Sequence, residues 1–208
     1  MVSLAVLSGG GSGRMGQDKA LMPFLGRPLI LRIMERLAPL ADEIILSANR
    51  PEGYAFLGLP IHPDLQPDCG VLGGLYTSLS AAQGEYVAAV ACDMPFASAT
   101  LFEYELDLLS TNEVDVVIPS TPNGLEPLHA VYRRKTCLPV IQSALSSGQL
   151  KLIGWFSQVR LRMVTPAEIA HYDLSGLAFW NLNTPEEFRQ AEERAKLEEN
   201  QRDISLDR

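Results

Sequence analysis

The sequence predicts an α/β domain of three layers, α/β/α, built on a mostly parallel sheet with some antiparallel pairing in its second half. Three observations carry that expectation. Short apolar runs alternate with segments of helical periodicity through the first half of the chain, the pattern of βαβ units. The runs are apolar at nearly every position, as strands covered by helices on both faces are. The first run ends in Gly9-Gly10-Gly11, in the way a buried strand feeds a loop at the ligand-binding edge of such a sheet.

The elements follow in order. Residues 2–7 read as the first strand. Pro28 sits in the first turn of a helix whose apolar positions Leu29, Ile30, Ile33, Met34 and Leu37 keep helical spacing until Pro39 stops them. Residues 43–49 form the second strand, residues 70–82 a helix with Leu72, Leu75, Tyr76 and Leu79 on one face, and residues 85–91 a third, fully apolar strand. This βαβαβ order implies right-handed crossovers and a ligand site beyond the carboxyl ends of the strands. The second half is less regular: a helix over 100–109, strands over 114–119 and 128–132, a helix over 138–146 and a strand over 159–164. Thr184-Pro185-Glu186-Glu187 then supplies an N-cap threonine, a first-turn proline and a capping-box glutamate for a helix running to Glu199, on which Glu192 and Lys196 form an i,i+4 pair.

Composition limits the partners. With 208 residues, 47% apolar and 20% charged, the chain has the make-up of one ordinary globular domain. Seventeen basic against 25 acidic side chains leave a net charge of −8, which argues against nucleic acid and requires any phosphate ligand to be held by locally concentrated donors. No basic leader and no apolar run of membrane-spanning length is present, so a cytoplasmic location without membrane association is expected. Cys69, Cys92 and Cys137 are odd in number and lack C-x-x-C spacing, which argues against a disulfide framework or zinc site.

The glycine-rich stretch LSGGGSGRMGQDKA, residues 7–20, offers three phosphate-binding designs. Gly11-Ser12-Gly13-Arg14-Met15-Gly16 matches G-x-G-x-x-G literally. A dinucleotide loop, however, opens directly into a helix and is followed by an acidic residue at the end of the second strand. Here Pro23 and Gly26 interrupt the chain, and that strand ends in Asn49. A P-loop requires Ser or Thr directly after its lysine, whereas Lys19 precedes Ala20. What remains is a longer loop carrying Arg14 and Lys19, whose backbone N–H groups wrap a triphosphate while the two cations neutralise it.

At this point the stretch resembles the signature of the molybdenum cofactor guanylyltransferase family, the MobA-like nucleotidyltransferases with a Rossmann-like sheet of the nucleotide-diphospho-sugar transferase type. Further blocks are similar in the same order: Leu46 to Arg50, Gly70 to Leu75, Ala91 to Pro95, Glu126-Pro127-Leu128 and Asn181 to Pro185. Ser8 and Val71 depart from the family, which favours alanine and proline there. The resemblance implies a single nucleotidyltransferase domain over 1–200, with 1–95 as the nucleotide-binding half, 96–200 as the acceptor-binding half and 201–208 as a flexible tail. It also implies transfer of GMP from GTP to molybdopterin or Mo-molybdopterin with Mg²⁺, release of pyrophosphate, and transient contact with other cofactor biosynthesis proteins. A cytidylyltransferase for the same cofactor, a sugar-phosphate nucleotidyltransferase and a nucleotide-binding regulator without turnover stay open on the residues alone.

Asp93, directly after the third strand, is the metal candidate, because Mg²⁺ takes oxygen ligands together with phosphates. Arg14 and Lys19 join it as catalytic candidates. By resemblance, Leu7, Ser8, Gly9, Gly10, Lys19, Asn49, Asp64 and Asp93 hold the nucleotide. A carboxylate and an amide suit the N–H edge of guanine, although Asp64 after Pro63 is equally a turn residue. Glu126, Asn181 and Asn183 belong to the acceptor side, with backbone capping an equal reading for the two asparagines. His129 reads as a core histidine and Cys92 as a buried thiol without chemistry.

Overall fold

A computed structural model describes residues 1–8 and 18–206, with side chains as far as Glu199. In chain order its elements are β1 (Val2–Ser8), β2 (Pro23–Phe24), β3 (Arg27–Pro28), α1 (Leu29–Leu37), β4 (Glu43–Ala48), β5 (Ile61–His62), α2 (Gly70–Ala81) and β6 (Tyr86–Ala91). There follow α3 (Ala99–Thr111), β7 (Val116–Thr121), β8 (Gly124–Leu125), β9 (His129–Arg133), α4 (Arg134–Ser146), β10 (Leu161–Val164), α5 (Pro166–Tyr172) and α6 (Pro185–Leu206).

β1 lies inside the sheet because its residues are apolar on both faces. Leu4 and Val6 enter one buried cluster, and Ala5 and Leu7 enter the other. The first cluster is covered by α1, α3, α5 and α6 through residues such as Ile33, Phe102, Ile169 and Phe188. The second is covered by α2 and α4 through Leu72, Leu79 and Ile141. The result is the expected three layers.

The main sheet runs β10-β7-β9-β6-β1-β4-β5, with β8 paired to β7. β1, β4, β5 and β6 are mutually parallel, and β9 alone on this path is antiparallel to its neighbours. The cause is local. Only a short turn and β8 separate β7 from β9, too little chain for a parallel crossover, so β9 returns between β7 and β6 in the opposite sense.

Several boundaries differ from expectation for physical reasons. Pro28 stands just before α1, because it pairs with Pro23 across the β2–β3 ribbon, whose turn residues Leu25 and Gly26 both have positive φ, 52° and 77°. The Leu25 N–H is satisfied by Glu192 Oε1 at 2.7 Å. Glu192 therefore serves that turn, and no ion pair to Lys196 forms among the described residues. α4 starts at Arg134, not 138, since Arg134 N–H bonds Glu85 O at 2.9 Å and the helix leaves β9 with no loop. α6 continues to Leu206 instead of ending at Glu199, as no glycine or proline interrupts it.

Candidate active site

The registers Leu7↔Ser47, Leu7↔Ala91 and Ser47↔His62 bring the carboxyl ends of β1, β4, β6 and β5 to one edge of the sheet. The residues that follow these strands therefore converge there. After β4 and β5, Asn49 and Asp64 bond each other twice: Asn49 Nδ2 donates to Asp64 Oδ2 at 2.8 Å, and the Asp64 N–H donates to Asn49 Oδ1 at 2.8 Å. Asp64 Oδ1 lies 3.4 Å from Ser47 Oγ. The amide thus fixes the carboxylate, and its second oxygen accepts from the Ser47 hydroxyl with a lone pair to spare. α2 passes close behind it. A Cβ on Gly74 would stand 3.7 Å from Asp64 Oδ1 and 3.4 Å from Leu7 Cδ2.

After β6, Asp93 meets Lys19. Lys19 Nζ donates to Asp93 Oδ2 at 3.0 Å and to Asn183 Oδ1 at 2.7 Å, and the charged pair keeps only about a fifth of its side-chain surface in solvent (22% and 18%). Asp93 and Asn183 are held from behind. Asp93 O accepts from Leu182 N at 2.9 Å and the Cys92 N–H donates to Leu7 O at 3.1 Å. Asn183 N–H and Thr184 N–H share Glu187 Oε2 at 2.6 and 2.8 Å, while Thr184 Oγ1 accepts from Glu187 N at 3.2 Å. The capping box read from the sequence thus also sets the asparagine that faces Lys19.

Among the described residues no cluster of three or more His, Cys, Asp or Glu is arranged to hold a metal. A single carboxylate completed by phosphate oxygens and water is a donor set that suits Mg²⁺ and is too sparse for zinc. The chemistry of Asp93 therefore fits the metal expected of it.

Residues 4–160 match the family described as MobA-like NTP transferase domain. The chain belongs to the MobA-like NTP transferase family. A molybdenum cofactor guanylyltransferase of Desulfosudis oleivorans is 32% identical over 188 residues, covering 90% of this chain and 92% of its own. Among solved structures, a molybdopterin-guanine dinucleotide biosynthesis protein A from Archaeoglobus fulgidus aligns with a TM-score of 0.80 at 23% identity, over 93% of this chain and 98% of that one. The 4-diphosphocytidyl-2C-methyl-D-erythritol synthase of Anaerococcus prevotii shares the fold with a TM-score of 0.69 at 14% identity, over 94% and 96%. The chain is a nucleotidyltransferase with the fold of the nucleotide-diphospho-sugar transferases.

In this MobA-like transferase the other candidate residues divide clearly. Leu7 is a core side chain, 4% exposed, and Ser8 closes β1 beside it. Gly9, Gly10 and Arg14 lie outside the described residues. Asn181 satisfies backbone, its Nδ2 donating to Phe179 O at 3.1 Å. Glu126 accepts from Thr121 Oγ1 at 3.2 Å, and burial raises its carboxyl above the ordinary value. Burial and the adjacent Asp93 push the Cys92 thiol up to about 12, so it is no nucleophile. His129 is fully buried, stacked on Phe102 at 3.9 Å, and its Nε2 accepts from Ser98 N at 3.2 Å. That bond requires a neutral ring, in accord with a pKa lowered by burial to about 3. Its Nδ1–H then faces Glu105 Oε1 at 3.3 Å.

Two residues were missed. Asp18 caps the 3-10 turn Lys19–Leu21, accepting from Ala20 N at 3.2 Å, and its place between the loop and Lys19 was the available signal. Tyr54, on the 3-10 helix Pro51–Leu57, bonds Asp18 and Ser8. No local pattern announces that tyrosine.

Proposed function

We propose that this nucleotidyltransferase moves GMP from GTP to the terminal phosphate of molybdopterin or Mo-molybdopterin and releases pyrophosphate. The observation that carries the reading is Lys19 Nζ, bonded at once to Asp93 and Asn183 at the carboxyl edge of the parallel strands. Such a cation, released from its carboxylate by incoming ligand, suits the phosphates of a triphosphate. The guanylyltransferase name of its relative supports the base and the acceptor.

In the reading proposed, Asp64, oriented by Asn49, accepts the N–H edge of guanine. Lys19 and Arg14 bear on the phosphate oxygens and offset charge on the departing pyrophosphate. Asp93 would hold Mg²⁺, which supplies charge neutralisation across the phosphates. An acceptor phosphate oxygen attacks the α-phosphorus in line, its P–O bond forming as the bond to pyrophosphate breaks. No protein nucleophile is needed, and positioning with charge compensation is the enzyme's task. Asn183 and the block at Glu126 border the acceptor, which divides the domain into a nucleotide half over 1–95 and an acceptor half over 96–200. No helix among the described residues is long and apolar enough to cross a membrane, and we assign the reaction to the cytoplasm.

The test is turnover with GTP, molybdopterin and Mg²⁺, followed by mass analysis of the dinucleotide product. Asp93→Ala should abolish it. Near-normal activity of that variant would remove Asp93 from the metal role, and a cytidyl product made in preference from CTP would overturn the guanylyl reading.

A further inference from the structure

Both ends of the glycine-rich segment meet at one phenol. Tyr54 is 1% exposed and packs in the same buried cluster as Ala20 and Phe24. Its hydroxyl touches Ser8, the last residue of β1, and Asp18, the first described residue beyond segment 9–17. A carboxylate only accepts, so the Tyr54 O–H donates to Asp18 Oδ2 at 2.7 Å and in turn accepts from the Ser8 hydroxyl. Asp18 Oδ1 caps the turn that carries Lys19, taking Ala20 N–H at 3.2 Å. The chain of contacts runs Ser8, Tyr54, Asp18, Lys19, and ends on Asp93 and Asn183.

We propose that Tyr54 is a positioning residue for nucleotidyl transfer, its hydroxyl tying the Asp18 turn to the end of β1 and fixing the direction from which Lys19 enters the site. The inference rests on the reading of Lys19 as a phosphate-binding residue of the transferase. The physical reason is entropic and geometric. Tying the Asp18 turn to β1 removes conformations of that turn before the ligand arrives, and a catalytic cation misplaced by about 1 Å can lose about a hundredfold in rate.

Tyr54→Phe keeps the ring and removes the clamp. Two measurements separate its roles. Without any ligand, amide hydrogen exchange of the peptide spanning residues 18–24 should be at least about tenfold faster than in the parent chain, with β6 unchanged. With GTP and acceptor, kcat should fall by about tenfold or more and KM should move less, since charge on the leaving group develops in the transition state. In an Asp18→Ala background, where the link to Lys19 is already cut, Tyr54→Phe should change kcat by less than about twofold. Unchanged exchange over 18–24, kcat/KM within about twofold of the parent, or an equally large effect in the Asp18→Ala background would overturn the clamp. Faster exchange in the variant of a parent chain that turns over no GTP would sink the substrate reading and leave the clamp supported.

Discussion

Asp64→Asn is expected to remove most of the preference for GTP while leaving the fold intact. Asp64 Oδ2 accepts from Asn49 Nδ2 at 2.8 Å, and Oδ1, which accepts from Ser47 Oγ at 3.4 Å, keeps a second lone pair for a donor of the base. An amide at this position keeps the Asn49 bond only by directing its oxygen there, which turns its NH₂ toward the N–H donors of guanine. The variant then loses a hydrogen bond to a charged acceptor, worth about 1.5–3 kcal/mol, and leaves a donor unmatched at about 1–3 kcal/mol. A net loss of about 3 kcal/mol, near the lower end of that sum, corresponds to about 150-fold in kcat/KM for GTP. Stability should hold, because the bond to Asn49 survives. Initial rates of pyrophosphate release with GTP, ATP and CTP give the three kcat/KM values directly. A GTP value within about threefold of the parent, with discrimination against ATP unchanged, would refute the assignment of Asp64 to the base.

Three more expectations test the scaffold. Burial holds the Glu105 carboxyl well above its ordinary value, and its Oε2 has no hydrogen-bond partner among the described residues. A folded pKa above the unfolded one contributes stability below the unfolded pKa that is lost as pH rises. Glu105→Gln should therefore raise Tm relative to the parent at about pH 8 and by less at about pH 5, by calorimetry; equal shifts would contradict this. Gly73→Ala drives a Cβ to 2.8 Å from Cys69 Cβ and 3.3 Å from Gln66 O, whereas Gly74→Ala meets nothing closer than 3.4 Å. Denaturant titration should show the first destabilised by about 1–3 kcal/mol and the second near the parent, helped by alanine's helix preference of about 0.8–1 kcal/mol. The reverse order would refute the packing argument. Thr184→Ala removes the acceptor for Glu187 N–H and should lower stability by about 1 kcal/mol, a Tm drop of about 2–4 °C.

The parallel half of the fold was legible because its strands are apolar on both faces and its helices carry periodic leucines. The short pieces were not: two residues at Ile61–His62 suffice to add an edge strand to β4, and no periodicity can form in so few. α5 was missed despite a readable signal, since Thr165 and Glu168 form the same kind of capping box that announced α6. In the site, Lys19, Asp93, Asn49 and Asp64 could be read from their motifs, and the structure joins them in two pairs. The bond from Lys19 to Asn183 spans 164 positions, and the contacts of the Tyr54 hydroxyl with Asp18 and Ser8 span 36 and 46. Tertiary geometry of that kind leaves no local pattern.

The most direct test of the central claim is calorimetric titration of the parent chain and of Lys19→Ala with GTP, CTP and ATP, each with and without Mg²⁺. The account predicts selective binding of GTP that is strengthened by Mg²⁺ and largely lost in the variant. Preference for CTP or ATP, or GTP binding that ignores both Mg²⁺ and Lys19, would contradict it.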